Sequence, residues 1–132
     1  KFVITGNNRD VNRYRWNLRN IINKLKNNKT KESIFYQNIC YLLKIRRKQK
    51  AFHPNATRIN MNFGPKVFGF KRISRDKKQT ITCVTNLSSV AQKIKIKRNN
   101  QKMRNLMGSN IQIKNNQFVF LKPFETLWIS NI

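Results

Sequence analysis

At 132 residues the chain has room for one domain with a buried core, and no apolar run approaches the roughly 18 residues of a helical membrane span. Its 29 Lys and Arg against 4 Asp and Glu give a formal charge of +25, the balance expected of a protein that meets polyanions. Yet 20 Asn and 15 Ile accompany the 18 Lys, three residue types with A- and T-rich codons, so drift in coding composition competes with a selected phosphate-binding surface. The chain opens on Lys-Phe-Val, which leads us to expect a fragment or a processed product. Lys1–Ile4 is too short for the apolar region of a signal peptide.

The first predicted element is a polar loop, Thr5-Gly6-Asn7-Asn8-Arg9-Asp10-Val11-Asn12-Arg13-Tyr14, whose composition cannot form core. Such a loop presents guanidinium forks to carboxylates, phosphates or sugar hydroxyls. Asn17 then caps a helix with Leu18, Ile21, Ile22 and Leu25 on one face, ended by Asn27-Asn28. Thr30 caps a second helix, with Glu32 in its first turn and an apolar stripe of Ile34, Phe35, Ile39, Leu42 and Leu43. It runs out in Arg46-Arg47-Lys48-Gln49-Lys50, cations that complement a helix C-terminus or bind phosphate. Two helices headed by a polar loop do not make a domain; residues 1–53 read as the last α-elements of a larger fold.

After Pro54 the apolar period changes from 3.6 to 2. Ile59, Met61 and Phe63 alternate with polar residues before the Gly64-Pro65 turn. Strands are predicted at Val67–Ile73, Thr80–Val84, Lys93–Lys97, Ile111–Lys114, Phe118–Leu121 and Thr126–Ser130, with Met103–Met107 ambiguous. Short strands at this spacing make an antiparallel sandwich or barrel over residues 54–132.

Chemistry-bearing residues are few. Asp10, Glu32, Asp76 and Glu125 fall in a loop, a helix start, a turn and a strand edge, so no two are placed as a catalytic pair. His53, the single histidine, stands beside Pro54 and reads as a packed linker residue. Trp16 and Trp128 read as core or interdomain packing rather than sugar platforms. Cys40 and Cys83 are expected to be buried free thiols, because one histidine and this spacing give neither metal site nor disulfide; a reducing cytoplasm fits them. Asn55-Ala56-Thr57 and Asn86-Leu87-Ser88 match the glycosylation pattern, which short sequences match by chance.

The loop from Thr5 to Arg13 resembles the Gly-Arg-Asn-Arg-Asp-Ile-Asn-Arg type loop near the end of the catalytic barrel in sucrose-phosphorylase-like enzymes of glycoside hydrolase family 13, the α-amylase superfamily. Leu42-Leu43-Lys44-Ile45-Arg46 running into Ala51-Phe52-His53-Pro54-Asn55-Ala56 is similar to their final barrel helix and its crossing to the C-terminal domain. The segments Phe68-Gly69-Phe70-Lys71-Arg72-Ile73-Ser74-Arg75, Cys83-Val84-Thr85-Asn86-Leu87 and Leu127-Trp128-Ile129-Ser130 resemble successive strands of that domain. These motifs keep the family's order from Thr5 to Ser130.

The resemblance implies two α-helices closing a TIM barrel, followed by an all-β antiparallel sandwich of the α-amylase C-terminal type. It implies a parent enzyme, a retaining glucoside phosphorylase or glucosyltransferase, acting with inorganic phosphate on sucrose, sucrose 6-phosphate or glucosylglycerate. Its Asp nucleophile and Glu acid/base would lie outside this sequence, leaving the chain alone inactive. Of the family's site residues it carries over an arginine, Arg13 first and Arg9 second, that helps hold the glucosyl unit or the nucleophile. The partners implied are the rest of the barrel, the α-glucoside and phosphate, with no organic cofactor, metal or membrane. The alternatives are a small basic nucleic-acid-binding protein and a non-catalytic remnant of the enzyme. Diffuse charge of this kind would bind nucleic acid without sequence preference.

Overall fold

The computed structural model describes Gly6 and residues 16–96, 103–108 and 118–131. It divides into two compact units, Lys1–Tyr41 and Leu42–Ile132, the division falling inside the second helix. The sequence pattern had set a boundary at residue 53, where the apolar period changes.

In the first unit, α1 (Leu18–Lys26) starts at Asn17, whose Oδ1 accepts from the Asn20 backbone N–H at 3.3 Å. Helix α2 (Lys31–Arg47) starts at Thr30, whose Oγ1 accepts from Ser33 N–H at 3.2 Å. The two helices join tightly because residues at the head of α2 satisfy the orphan carbonyls at the tail of α1. Thr30 donates its hydroxyl to Lys24 O at 2.6 Å, and the fully buried Ser33 donates to Leu25 O at 2.9 Å. Lys24 and Glu32 form an ion pair across the same corner. The Lys24 ammonium holds the Glu32 carboxyl below its ordinary range. The predicted apolar stripes form, but within the described residues they stay only partly covered: Ile21, Leu25 and Leu42 are half-buried, while Leu18 is 70% exposed, Phe35 69% and Ile34 48%.

The second unit is the antiparallel sandwich expected from the alternating pattern. Its strands are β1 (Thr57–Asn62), β2 (Val67–Ile73), β3 (Thr80–Asn86), β4 (Gln92–Lys95), β5 (Met103–Asn105), β6 (Phe118–Leu121) and β7 (Thr126–Asn131). Five of them form one sheet in the order β1-β2-β3-β7-β5, and β4 pairs with β6 in a second sheet. The ambiguous Met103–Met107 segment resolves into β5 and a turn. The predicted strand at Ile111–Lys114 lies outside the described residues.

Side-chain alternation sorts the core into two layers. Val67, Val84, Leu127 and Ile129 of the large sheet meet Ile94, Val119 and Leu121 of the small one, with Ile96 just past β4. Each such buried Ile or Leu is worth roughly 1.5–3 kcal/mol of transfer free energy. On the opposite face of the large sheet, Ile81 and Cys83 pack with Ala51, and with Phe52, Phe70, Leu106 and Trp128. The register pairs Cys83 with Trp128 and Val84 with Leu127, so the central strand β3 is buried on both faces. A 3-10 helix, Lys50–Phe52, supplies Ala51 and Phe52 to that second layer. At Gly69 in β2 a Cβ would stand 2.5 Å from the Phe63 ring, so this position accommodates only hydrogen while Phe63 keeps its place against the core.

Candidate functional site

The residues on which the sequence placed a substrate-binding role, Arg9 and Arg13, lie outside the described residues, as does Asp10 between them. The described segment resumes at Trp16, half exposed, with the Lys24 ammonium 5.0 Å from its ring centroid. Trp128, by contrast, packs edge-to-face on Phe52, with centroids 4.9 Å apart.

The three described carboxylates each serve a local structural bond. Glu32 takes Lys24 at the helix corner. Glu125 accepts from Lys122 N–H at 2.8 Å and so closes the turn before β7. Asp76 sits in the β2–β3 turn and accepts from Ser74 Oγ–H at 2.6 Å, Lys78 N–H at 3.1 Å and Lys50 Nζ at 3.1 Å. Those three donors, the Ser74 hydroxyl foremost, hold its carboxyl well below the usual carboxylate range.

The segment joining α2 to β1 is fastened to the sheet rather than left loose. Arg72 donates from Nε to Ala51 O at 3.1 Å and from Nη2 to His53 O at 2.5 Å. Gln79 accepts from Ala51 N–H at 3.0 Å and donates to Gln49 Oε1 at 2.7 Å. Sequence reading passed over both residues. Its one usable signal was that Arg72 shares a strand face with Phe68 and Phe70, so its charge faces a packed layer and needs local acceptors.

Against this fastened segment the β2–β3 turn leaves an open cavity of about 260 Å³, lined by Lys50, His53, Ser74, Arg75 and Asp76. His53 Nδ1 accepts from Asn55 N–H at 3.2 Å, which leaves the proton of the neutral ring on Nε2. His53 therefore lines a cavity besides serving the linker.

Cys83 is buried, and desolvation pushes its thiol up to about 12 despite the opposing charge of Arg72. Cys40 is only half-buried, a correction to the expectation of two buried thiols. It follows because the α2 face around Cys40 has little packed over it among the described residues. Both cysteines are free. Asn86, read in sequence as a chance glycosylation match, is fully buried. It donates from Nδ2 to Val90 O at 2.8 Å and Lys122 O at 2.9 Å, while its Oδ1 accepts from Ser88 N–H and Oγ–H at 3.0 and 2.8 Å. No helix among the described residues is long and apolar enough to cross a membrane.

No protein-family model matches the chain. Among characterised proteins it is 27% identical over 88 residues to a glucosylglycerate phosphorylase of Spirochaeta thermophila, covering 67% of this chain and 15% of the phosphorylase. The chain thus spans only a small part of the length of the curated relative it matches. Among solved structures, an Anoxybacillus α-amylase superposes with a TM-score of 0.64 at 17% identity, over 80% of this chain and 24% of the amylase. The α-amylase of H. orenii gives 0.59 at 18%, over 83% of this chain and 22% of its own. A trehalulose synthase gives 0.58 at 18%, over 84% and 19%. These identities carry the fold alone, and that fold is the two helices and antiparallel sandwich described above. In sequence and in fold together, the chain resembles the C-terminal part of the enzymes of the α-amylase family, glycoside hydrolase family 13.

Proposed function

We propose that the chain is the C-terminal part of a retaining glucoside phosphorylase or glucosyltransferase acting on sucrose or a related α-glucoside, sucrose 6-phosphate and glucosylglycerate included. The observation that carries this reading is the match to a glucosylglycerate phosphorylase over 67% of the chain. The amylase-like sandwich agrees with it. In this reading the Asp nucleophile and Glu acid/base reside in polypeptide preceding Lys1. The nucleophile displaces the aglycone, which leaves with the acid's proton, and phosphate then takes the glucosyl unit from the covalent intermediate. Glu32, Asp76 and Glu125, each tied to a local bond, are not the roughly 5 Å pair that retention requires.

Arg13, with Arg9 in support, holds the glucosyl unit or the nucleophile from a loop at the C-terminal face of the barrel, where such sites lie. The rest of that barrel covers the apolar faces that α1 and α2 present, of which Leu18 and Phe35 are about 70% exposed. The reaction calls on no organic cofactor, its setting is the cytoplasm, and nucleic acid is bound only non-specifically.

The test is twofold. Purified chain incubated with sucrose or glucosylglycerate plus phosphate should release no glucose 1-phosphate, and release by the chain alone sinks the reading. The reading frame upstream of Lys1 should encode a barrel with an Asp nucleophile and a Glu acid/base; a start codon just before Lys1 also sinks it.

A further inference from the structure

We infer that the outward face of the small sheet, β4 with β6, is a stacking platform for single-stranded nucleic acid. The inference rests on the reading that nucleic acid is bound without sequence preference, and it names the surface that binds. Ile94, Val119 and Leu121 are core, so strand alternation turns Lys93, Lys95, Phe118 and Phe120 to the other side. All four are exposed, Phe118 at 51% and Phe120 at 66%. The antiparallel register sets Lys93 opposite Phe120 and Lys95 opposite Phe118. The Lys93 ammonium lies 4.0 Å from the Phe118 ring centroid and 5.7 Å from that of Phe120, so one cation is shared by both rings. The sequence has no carboxylate between Asp76 and Glu125, the stretch that contains both strands.

These four side chains select the occupant. A second copy of the chain would bring the same lysines against one another. A neutral glycan needs acceptors as well as donors for its hydroxyls, and the outward positions of β4 and β6 hold only phenyl rings and ammonium groups. A polyanion that carries flat rings answers both halves of the face: bases stack on the phenyl groups while phosphates meet the lysines. Phe118 and Phe120, two residues apart on one strand, stand roughly 7 Å from each other. Sheet faces that bind single-stranded RNA stack unpaired bases on aromatic side chains in this manner. A duplex keeps its bases inside and offers the face phosphates alone. Drift in coding composition supplies lysines anywhere in the chain, but it does not set rings and cations opposite each other on one face of one sheet.

Nothing on the platform reads a base edge or a 2′-hydroxyl, so DNA and RNA should bind alike and in any sequence. The test is fluorescence anisotropy of a labelled oligothymidylate of about twelve nucleotides, against a duplex of that length, in about 100 mM sodium chloride. Diffuse charge alone favours the duplex, whose charge density is higher. The platform favours the single strand, with a dissociation constant on the order of 10 µM. Phe118→Ala and Phe120→Ala change no charge, and each should weaken single-strand binding about fivefold or more, whereas Phe120→Trp should preserve it. Phe68→Ala removes an exposed ring from the large sheet and should leave binding unchanged. Polyphosphate, which has the charge without the bases, should bind the parent and the Phe118 and Phe120 variants equally. Absence of single-strand binding overturns the inference together with the reading beneath it. Tighter binding of the duplex, or Phe118→Ala and Phe120→Ala no weaker than Phe68→Ala, overturns the inference and leaves diffuse charge standing. Binding to phosphatidylglycerol vesicles that depends on Phe118 and Phe120, with oligonucleotide binding independent of them, assigns the face to a membrane and also overturns it. Melting curves show that each variant is folded, as substitutions of exposed side chains should be.

Discussion

Asn86→Ala should be among the most damaging single polar substitutions in the sandwich. The side chain is fully buried at the end of β3 and makes four hydrogen bonds, two donated to Val90 O and Lys122 O and two accepted from Ser88. Its own N–H goes to Glu125 O at 2.9 Å, so this one residue joins the loop after β3 to the turn before β7. Each bond is worth about 1 kcal/mol net. The Ser88 pair lies near the surface and can be remade to water, so we expect a loss of about 3 kcal/mol rather than the full sum. For a unit of this size that lowers the melting temperature by on the order of 12–24 °C.

Asn86→Asp separates chemistry from volume. It keeps the shape but removes both N–H donors and turns a carboxylate toward two carbonyl oxygens, so it should cost at least as much as alanine. Asn55→Ala, at an exposed position, serves as control and should stay within about 0.5 kcal/mol. Urea unfolding followed by Trp fluorescence measures all three. A loss below about 1 kcal/mol for Asn86→Ala, or an Asn86→Asp variant milder than the alanine, would refute the anchoring role.

In the complete enzyme, Arg13→Ala should lower phosphorolysis by about 10²-fold or more while leaving stability within about 0.5 kcal/mol, and Arg9→Ala should follow more mildly. Steady-state rates with thermal melts decide between that and a structural loop, which near-normal turnover or a large drop in melting temperature would indicate. A disulfide-exchange reagent at neutral pH should titrate Cys40 quickly and Cys83 only on unfolding, because burial keeps Cys83 a neutral thiol far above that pH; two fast thiols would contradict it. Asp76 has its carboxyl lowered on folding, so its contribution is present above the ordinary Asp range near about 3.9 and is lost as pH falls through the lower folded value. Asp76→Asn should therefore melt below the parent at pH 7 and converge with it toward pH 2, and parallel curves would show that the turn does not use the charge.

The sequence by itself determined the local grammar. Asn17 and Thr30 announce the two helix starts because a side-chain oxygen there accepts from one of the first free N–H groups. The alternation of Ile94 and Ile96, of Val119 and Leu121, and of Leu127 and Ile129 announces a sheet face turned inward. The motif order from Thr5 to Ser130 pointed to the amylase-type C-terminal part, which the fold then matched. For the proposed substrate loop the sequence is all there is, since Arg9 and Arg13 lie outside the described residues.

What only the tertiary structure decided depends on partners distant in the chain. Strand β7 inserts between β3 and β5, an arrangement no local period encodes, because pairing is chosen by which buried faces fit. Ile81 and Cys83 are apolar in sequence, but only the fold shows what covers them, the 3-10 helix that brings Ala51 and Phe52 over that face of the sheet. Arg72, Gln79 and Asn86 are ordinary polar residues in sequence. They become anchors because folding buries backbone groups far from them along the chain, and a buried carbonyl or N–H must find its partner wherever a side chain can reach.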